Sequence, residues 1–127
     1  WSLNPSGESP SGVAHMETLE GYGLSAECRF DGTAKMIEDE VRRGRPVMVG
    51  WLHRGPIDQP TGIGHWSVIV GYNREEFIMH DPAGEPRLIE GGHINGGGRD
   101  VRVSRNQFLE RWQIEGKATG WMIIVKD

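Results

Sequence analysis

Residues 62–85, GIGHWSVIVGYNREEFIMHDPAGE, put a histidine, His65, at the head of one apolar run and an aspartate, Asp81, at the foot of the next. An aspartate hydrogen-bonded to one ring nitrogen of a histidine leaves the other nitrogen to take a proton from a nucleophile, the base half of acyl-transfer chemistry. The spacing permits that pair. In an antiparallel hairpin whose loop holds an odd number of residues, the two side chains share a face and lie opposite or diagonal to each other. His65 follows a Gly-Ile-Gly loop and Asp81 precedes a proline, so both are expected at the rim of a sheet. Asp81 also has a plainer reading, as a turn residue bonding its own backbone.

Other chemistry-bearing residues carry less. Cys28 is the one cysteine of the chain, and its alternation with Leu24, Ala26 and Phe30 reads as a small core residue, not a nucleophile. His65, His80, Asp81 and His93 can be imagined as a zinc set, but His80 and Asp81 are adjacent on a strand and point to opposite faces. No two histidines show helical i, i+4 spacing, so neither a metal nor a cofactor is expected. His15 and His53 read as surface or rim residues. Trp51 and Trp66 flank the proposed cleft and are candidates for a substrate subsite, with core packing as the competing role.

The elements that must position His65 and Asp81 follow from periodicity. A Pro/Ser/Gly-rich lead-in precedes a helix expected at about 11–21, and LSAECRF is a short strand. Thr33 opens a helix to residue 43, with Arg42 and Arg43 in its last turn and Gly44 as its stop. VMVGWLH (47–53) is a near-continuous apolar run that suits a central strand. HWSVIVGY (65–72) and EFIMHD (76–81) form the hairpin. The glycine tract 91–98 reads as a flexible loop, after which come the strand DVRVS, a helix RNQFLERW capped by Ser104, and a last strand at 121–125. Helices first and antiparallel strands afterwards argue for an α+β fold, one domain over residues 1–127.

Composition narrows the partners. Fourteen Lys+Arg against 18 Asp+Glu give a net charge of −4, and no stripe of basic residues is present to hold a phosphate backbone, so nucleic acid is not an expected partner. The longest unbroken apolar run, 121–125, is far short of a membrane span. The first residue, Trp1, reads as the start of a processed product, an excised domain or a chain whose upstream part was lost.

In order and wording, LEGYGLSAECRF, a helix, GRPVMVGW, GHWSVIVGYN and FIMHDPAGE, then FLERW and a last apolar strand resemble the family-39 cysteine peptidase-like domains of the papain-like superfamily. The best-known members of that family cut double-glycine leader peptides from bacteriocins. The resemblance runs from about residue 11 to 125. It implies a papain-like α+β fold, a peptide or protein substrate, His65 as general base and Asp81 as the residue that orients it. The family's nucleophilic cysteine begins a helix near the N-terminus, a few residues after an oxyanion-stabilising glutamine, and residues 1–10 supply neither. The expectation is a hydrolase of peptide or amide bonds that is inactive alone, its thiolate coming from an upstream segment or a second chain. The alternative is a catalytically inactive peptidase-like module, binding or structural, of a larger secreted, envelope or phage-particle protein.

Overall fold

The computed structural model describes residues 21–23, 25–94 and 96–126. The helix expected at 11–21 lies outside the described residues save for Gly21. In chain order the elements are β1 (Ser25–Gly32), α1 (Ala34–Arg42), β2 (Val47–Trp51), β3 (His65–Tyr72), β4 (Glu76–His80), β5 (Glu85–Pro86), β6 (His93–Ile94), β7 (Val101–Ser104), α2 (Arg105–Trp112) and β8 (Gly120–Lys126).

Six strands form one sheet in the order β1-β8-β2-β3-β4-β7, with every neighbouring pair antiparallel. The α+β expectation holds. All six of the strands expected from sequence join this sheet, with β1 and β7 at its two edges. Every residue of β2 is buried, as its unbroken apolar run requires of a strand covered on both faces.

Period-two alternation divides the core. Val47, Val49, Trp51, Ile69, Met79 and Met122 face Ile37 of α1 and Phe108 and Trp112 of α2 in the larger cluster. Met48, Trp66, Val68 and Ile123 form a second cluster on the other face, with Ala26, Cys28 and Trp121 against it. Both helices begin at side-chain caps: the Met36 N–H donates to Thr33 Oγ1 at 3.2 Å, and the Gln107 N–H to Ser104 Oγ at 3.3 Å. Gly44, with φ of 77°, lets the chain leave α1 in the left-handed region.

The glycine tract is not a featureless loop. β5 and β6 pair as a two-stranded ribbon, with Pro86 opposite His93. The Gly92 N–H donates to His53 O at 2.7 Å, tying this ribbon to the segment that follows β2. A side chain at Gly91, where φ is 89°, would collide with the Gly55 backbone. Glycine is therefore what allows the two segments to close on each other.

Candidate active site

His65 opens β3 and Asp81 immediately follows β4. They meet: His65 Nε2 lies 2.8 Å from Asp81 Oδ2, with both side chains fully buried. The parity that brings them together does not come from the turn. Near the turn Tyr72 pairs with Phe77 and Gly71 with Ile78, and an unbroken ladder would then place Asp81 opposite Val68, on the wrong face. Between Ile69 and Gly71 the register shifts, so that Ile69 pairs with Met79 and Val68 with His80. One extra residue in β3 thus moves Asp81 opposite Ser67, onto the face that carries His65.

Ser67 and Trp51 complete the support. The Trp51 indole N–H donates to Ser67 Oγ at 2.9 Å, and the Ser67 hydroxyl donates to Asp81 Oδ2 at 2.8 Å. The other carboxylate oxygen, Oδ1, accepts the Ala83 N–H at 2.9 Å. Asp81 is therefore both the turn residue of the plainer reading and a partner of His65, one oxygen for each. Burial pushes its carboxyl up, but the hydrogen bonds from His65 and His93 and the charges of those rings outweigh burial and hold it well below the usual carboxylate range.

An ionised Asp81 can only accept, so a neutral His65 carries its proton on Nε2 and its lone pair on Nδ1. Nδ1 is buried and has no hydrogen-bond partner among the described residues. The side chain is thus oriented at one nitrogen and open at the other, the arrangement a general base needs.

Two further histidines join the pair. His93, from the glycine tract, places Nε2 3.0 Å from Asp81 Oδ2. His53 is buried, not at the surface or rim, and stacks on His65 with ring centroids 4.2 Å apart and planes 12° from parallel. Burial first, then the neighbouring His65 and His93, lower its pKa to about 3, so it is neutral at pH 7. Strand parity held a signal for His53, which continues the alternation of Val49 and Trp51. No local pattern marks His93, because only the closure of the glycine tract delivers it.

The remaining candidates separate. Trp51 packs edge-on to His65, centroids 5.4 Å apart. Trp66 is fully buried on the opposite face of the sheet, so the two tryptophans do not flank one cleft. His80 also points away from the site, accepting the Asp100 N–H at Nδ1 over 3.0 Å. Cys28 pairs with Ile123 and, half-buried, packs against the second cluster. It lies on the face opposite His65 and three strands away in the sheet order, about 14 Å at the usual inter-strand spacing. Burial raises its thiol pKa.

Comparison with known proteins agrees with this arrangement of strands and helices. The chain is similar to the crystal structure of a protein from Bacillus anthracis described as a C39-like peptidase, with a TM-score of 0.62 and 18% sequence identity. That likeness covers 92% of this chain and 58% of the other, so the chain spans little more than half of the protein it matches. No curated protein matches the chain. The model of the Peptidase_C39 like family matches residues 5–119, a span that takes in β1 through α2 and with them His53, His65, Asp81 and His93. On that match the chain belongs to the Peptidase_C39 like family.

Proposed function

We propose that His65 and Asp81 are the general base and the orienting acid of a cysteine peptidase-like site that hydrolyses peptide or amide bonds. The observation that carries this reading is the asymmetry of the His65 ring, with Nε2 held by Asp81 and the buried Nδ1 left without a partner among the described residues. Leaving a buried acceptor unpaired costs about 1–3 kcal/mol, an arrangement suited to a group brought in from elsewhere.

The thiolate is that group. The chain's one cysteine, Cys28, is on the wrong face of the sheet, so the thiol that His65 serves comes from outside these 127 residues, on a longer product or a second chain. His65 Nδ1 takes the thiol proton as sulfur attacks the substrate carbonyl, and returns it to the leaving amine. Water then cleaves the acyl-thioester with His65 again as base, which regenerates the thiol and releases the acid. Asp81 keeps the ring in the reactive tautomer and stabilises the imidazolium between these steps. By this reading the 127-residue chain turns over no peptide alone.

Nitrogen-resolved NMR of the imidazoles tests the tautomer directly. The reading requires His65 protonated on Nε2 and unprotonated on Nδ1 at neutral pH. A neutral ring protonated on Nδ1 would leave no lone pair for the thiol and would overturn it.

A further inference from the structure

The base-and-acid reading uses His65 and Asp81 alone, yet two more imidazoles are packed into the same interior. Asp81 Oδ2 accepts from Ser67 and lies within hydrogen-bond distance of both the His65 and the His93 ring, so three side chains converge on one carboxylate oxygen. The arrangement of the donors suggests what else they could hold. His53, His65 and His93 each offer one nitrogen, and the three nitrogens lie within 4.8 Å of one another. His65 Nε2 and His93 Nε2 lie 2.8 and 3.0 Å from Asp81 Oδ2. Around a tetrahedral ion with bonds of about 2.0–2.1 Å, neighbouring ligand atoms are about 3.3 Å apart. A small outward movement of these three atoms therefore makes room for a cation between them.

We infer that His65, His93 and Asp81, with His53 as the fourth ligand, form a binding site for a divalent transition-metal ion, Zn2+ in the first instance. Three imidazoles and one carboxylate are a donor set that Zn2+ takes readily. The residues come from four separate segments: the loop after β2, the head of β3, the residue that follows β4, and β6. That dispersal explains why no sequence spacing announced the site. The His65 and His93 planes are 56° apart and those of His53 and His93 52° apart, whereas His53 lies nearly parallel to His65. Stacked rings cannot both aim in-plane lone pairs at one point, so the His53 ring must turn as the ion enters. Removal of His53 accordingly weakens binding less than removal of His93.

A cation bound at these atoms replaces the hydrogen bond between His65 and Asp81. Metal occupancy and service as a general base exclude each other, so Zn2+ inhibits the hydrolase. That consequence rests on the proposed function; the binding itself does not.

The test uses the 127-residue chain after chelator treatment and reads metal, not activity. Zn2+ affinity is measured by competition with a chromophoric chelator, stoichiometry by native mass spectrometry, and coordination by the visible spectrum of the Co2+ form. The expected result is one ion per chain and a tetrahedral Co2+ spectrum, with affinity lowered on the order of 100-fold in His93→Ala, less in His53→Ala, and unchanged in His80→Ala. Circular dichroism checks the fold of each variant. Should His93→Ala fail to fold, perturbation of the His93 ring nitrogens on Zn2+ addition to the unaltered chain takes its place. Absence of stoichiometric binding at micromolar Zn2+, an affinity undiminished in a folded His93→Ala, or His93 nitrogens undisturbed by Zn2+ would each overturn the inference. None of these outcomes bears on the tautomer of His65 in the metal-free chain, so the two readings fail separately.

Discussion

His65 and Asp81 meet at 2.8 Å because β3 is one residue longer than the stretch of β4 it pairs with. The surplus lies between Ile69 and Gly71, at Val70. Deleting Val70 makes the ladder regular while leaving Ser67 opposite Asp81, so the variant should fold and keep the His65–Asp81 contact. Inserting one alanine after Val70 has the opposite effect. An unbroken ladder then becomes available that sets Asp81 opposite Ile69, about 7 Å along the strand from its present partner. Imidazole NMR distinguishes the two, the His65 Nε2–H signal surviving the deletion and disappearing with the insertion.

Burial of a neutral His53 makes stability depend on acid. Its folded pKa, about 3, is below the unfolded value of about 6.5, so between these values the unfolded chain binds the extra proton. Stability therefore falls as pH drops through that window, with a slope of up to ~1.4 kcal/mol per pH unit for one proton. In chelator-containing buffer His53→Gln should flatten the denaturation midpoint between pH 6.5 and 4. Asp81 acts lower: its depressed pKa contributes stability above the unfolded value of about 3.9, and that contribution is lost as pH falls further. The acid limb below pH 4 should persist in His53→Gln and shrink in Asp81→Asn.

Arg111 of α2 is the fastening for the loops that bring the histidines together. Fully buried, it donates from Nε to Leu88 O at 2.7 Å, from Nη1 to Leu52 O and Arg54 O at 3.2 and 3.0 Å, and from Nη2 to Gly55 O at 2.7 Å. Arg111→Met would remove the guanidinium donor from four carbonyls, of which Arg54 O keeps the Thr61 N–H, at about 1–3 kcal/mol for each that water cannot reach. Denaturant titration should show a loss of at least ~3 kcal/mol, with the stacked His53 ring released from His65.

Legibility from sequence followed the range of the signals. β3, β4 and α2 have local marks, and their expected spans differ from the observed ones by a residue or less. β2 stops at Trp51 because Leu52 and His53 enter the loop that Arg111 pins. His65 and Asp81 were visible as a pair, but the device that unites them was not, since a β-bulge leaves no mark in period-two alternation until both strands are aligned. His93 is nameable in sequence beside His65 and Asp81, but nothing local places it against them. Its approach depends on Gly91 and Gly92 closing against His53 and Gly55, contacts nearly 40 residues apart in sequence. Of the two readings open to Trp66, core packing is the one found: it neighbours His65 on β3, which puts it on the opposite face.

Cys28 should behave as a half-buried thiol packed against the second cluster. Burial raises its pKa, so at neutral pH it is protonated and a poor nucleophile. Alkylation by iodoacetamide should be slower in the folded chain than in urea. Cys28→Ala should cost about 1 kcal/mol of stability and leave any hydrolytic activity of a longer product unchanged. Rapid, pH-independent labelling of Cys28 in the folded chain would contradict its placement.

The central claim is that His65, oriented by Asp81, is the base of a thiol hydrolase. Its most direct test is peptide hydrolysis by the full natural product containing this segment, compared with its His65→Ala and Asp81→Asn variants in metal-free buffer. The account predicts thiol-dependent turnover that falls by about 100-fold or more in His65→Ala, falls substantially in Asp81→Asn, and is unaffected by Cys28→Ala. Turnover that is indifferent to His65, or no turnover and no thiol labelling outside Cys28, would contradict it and identify the domain as a peptidase-like binding module.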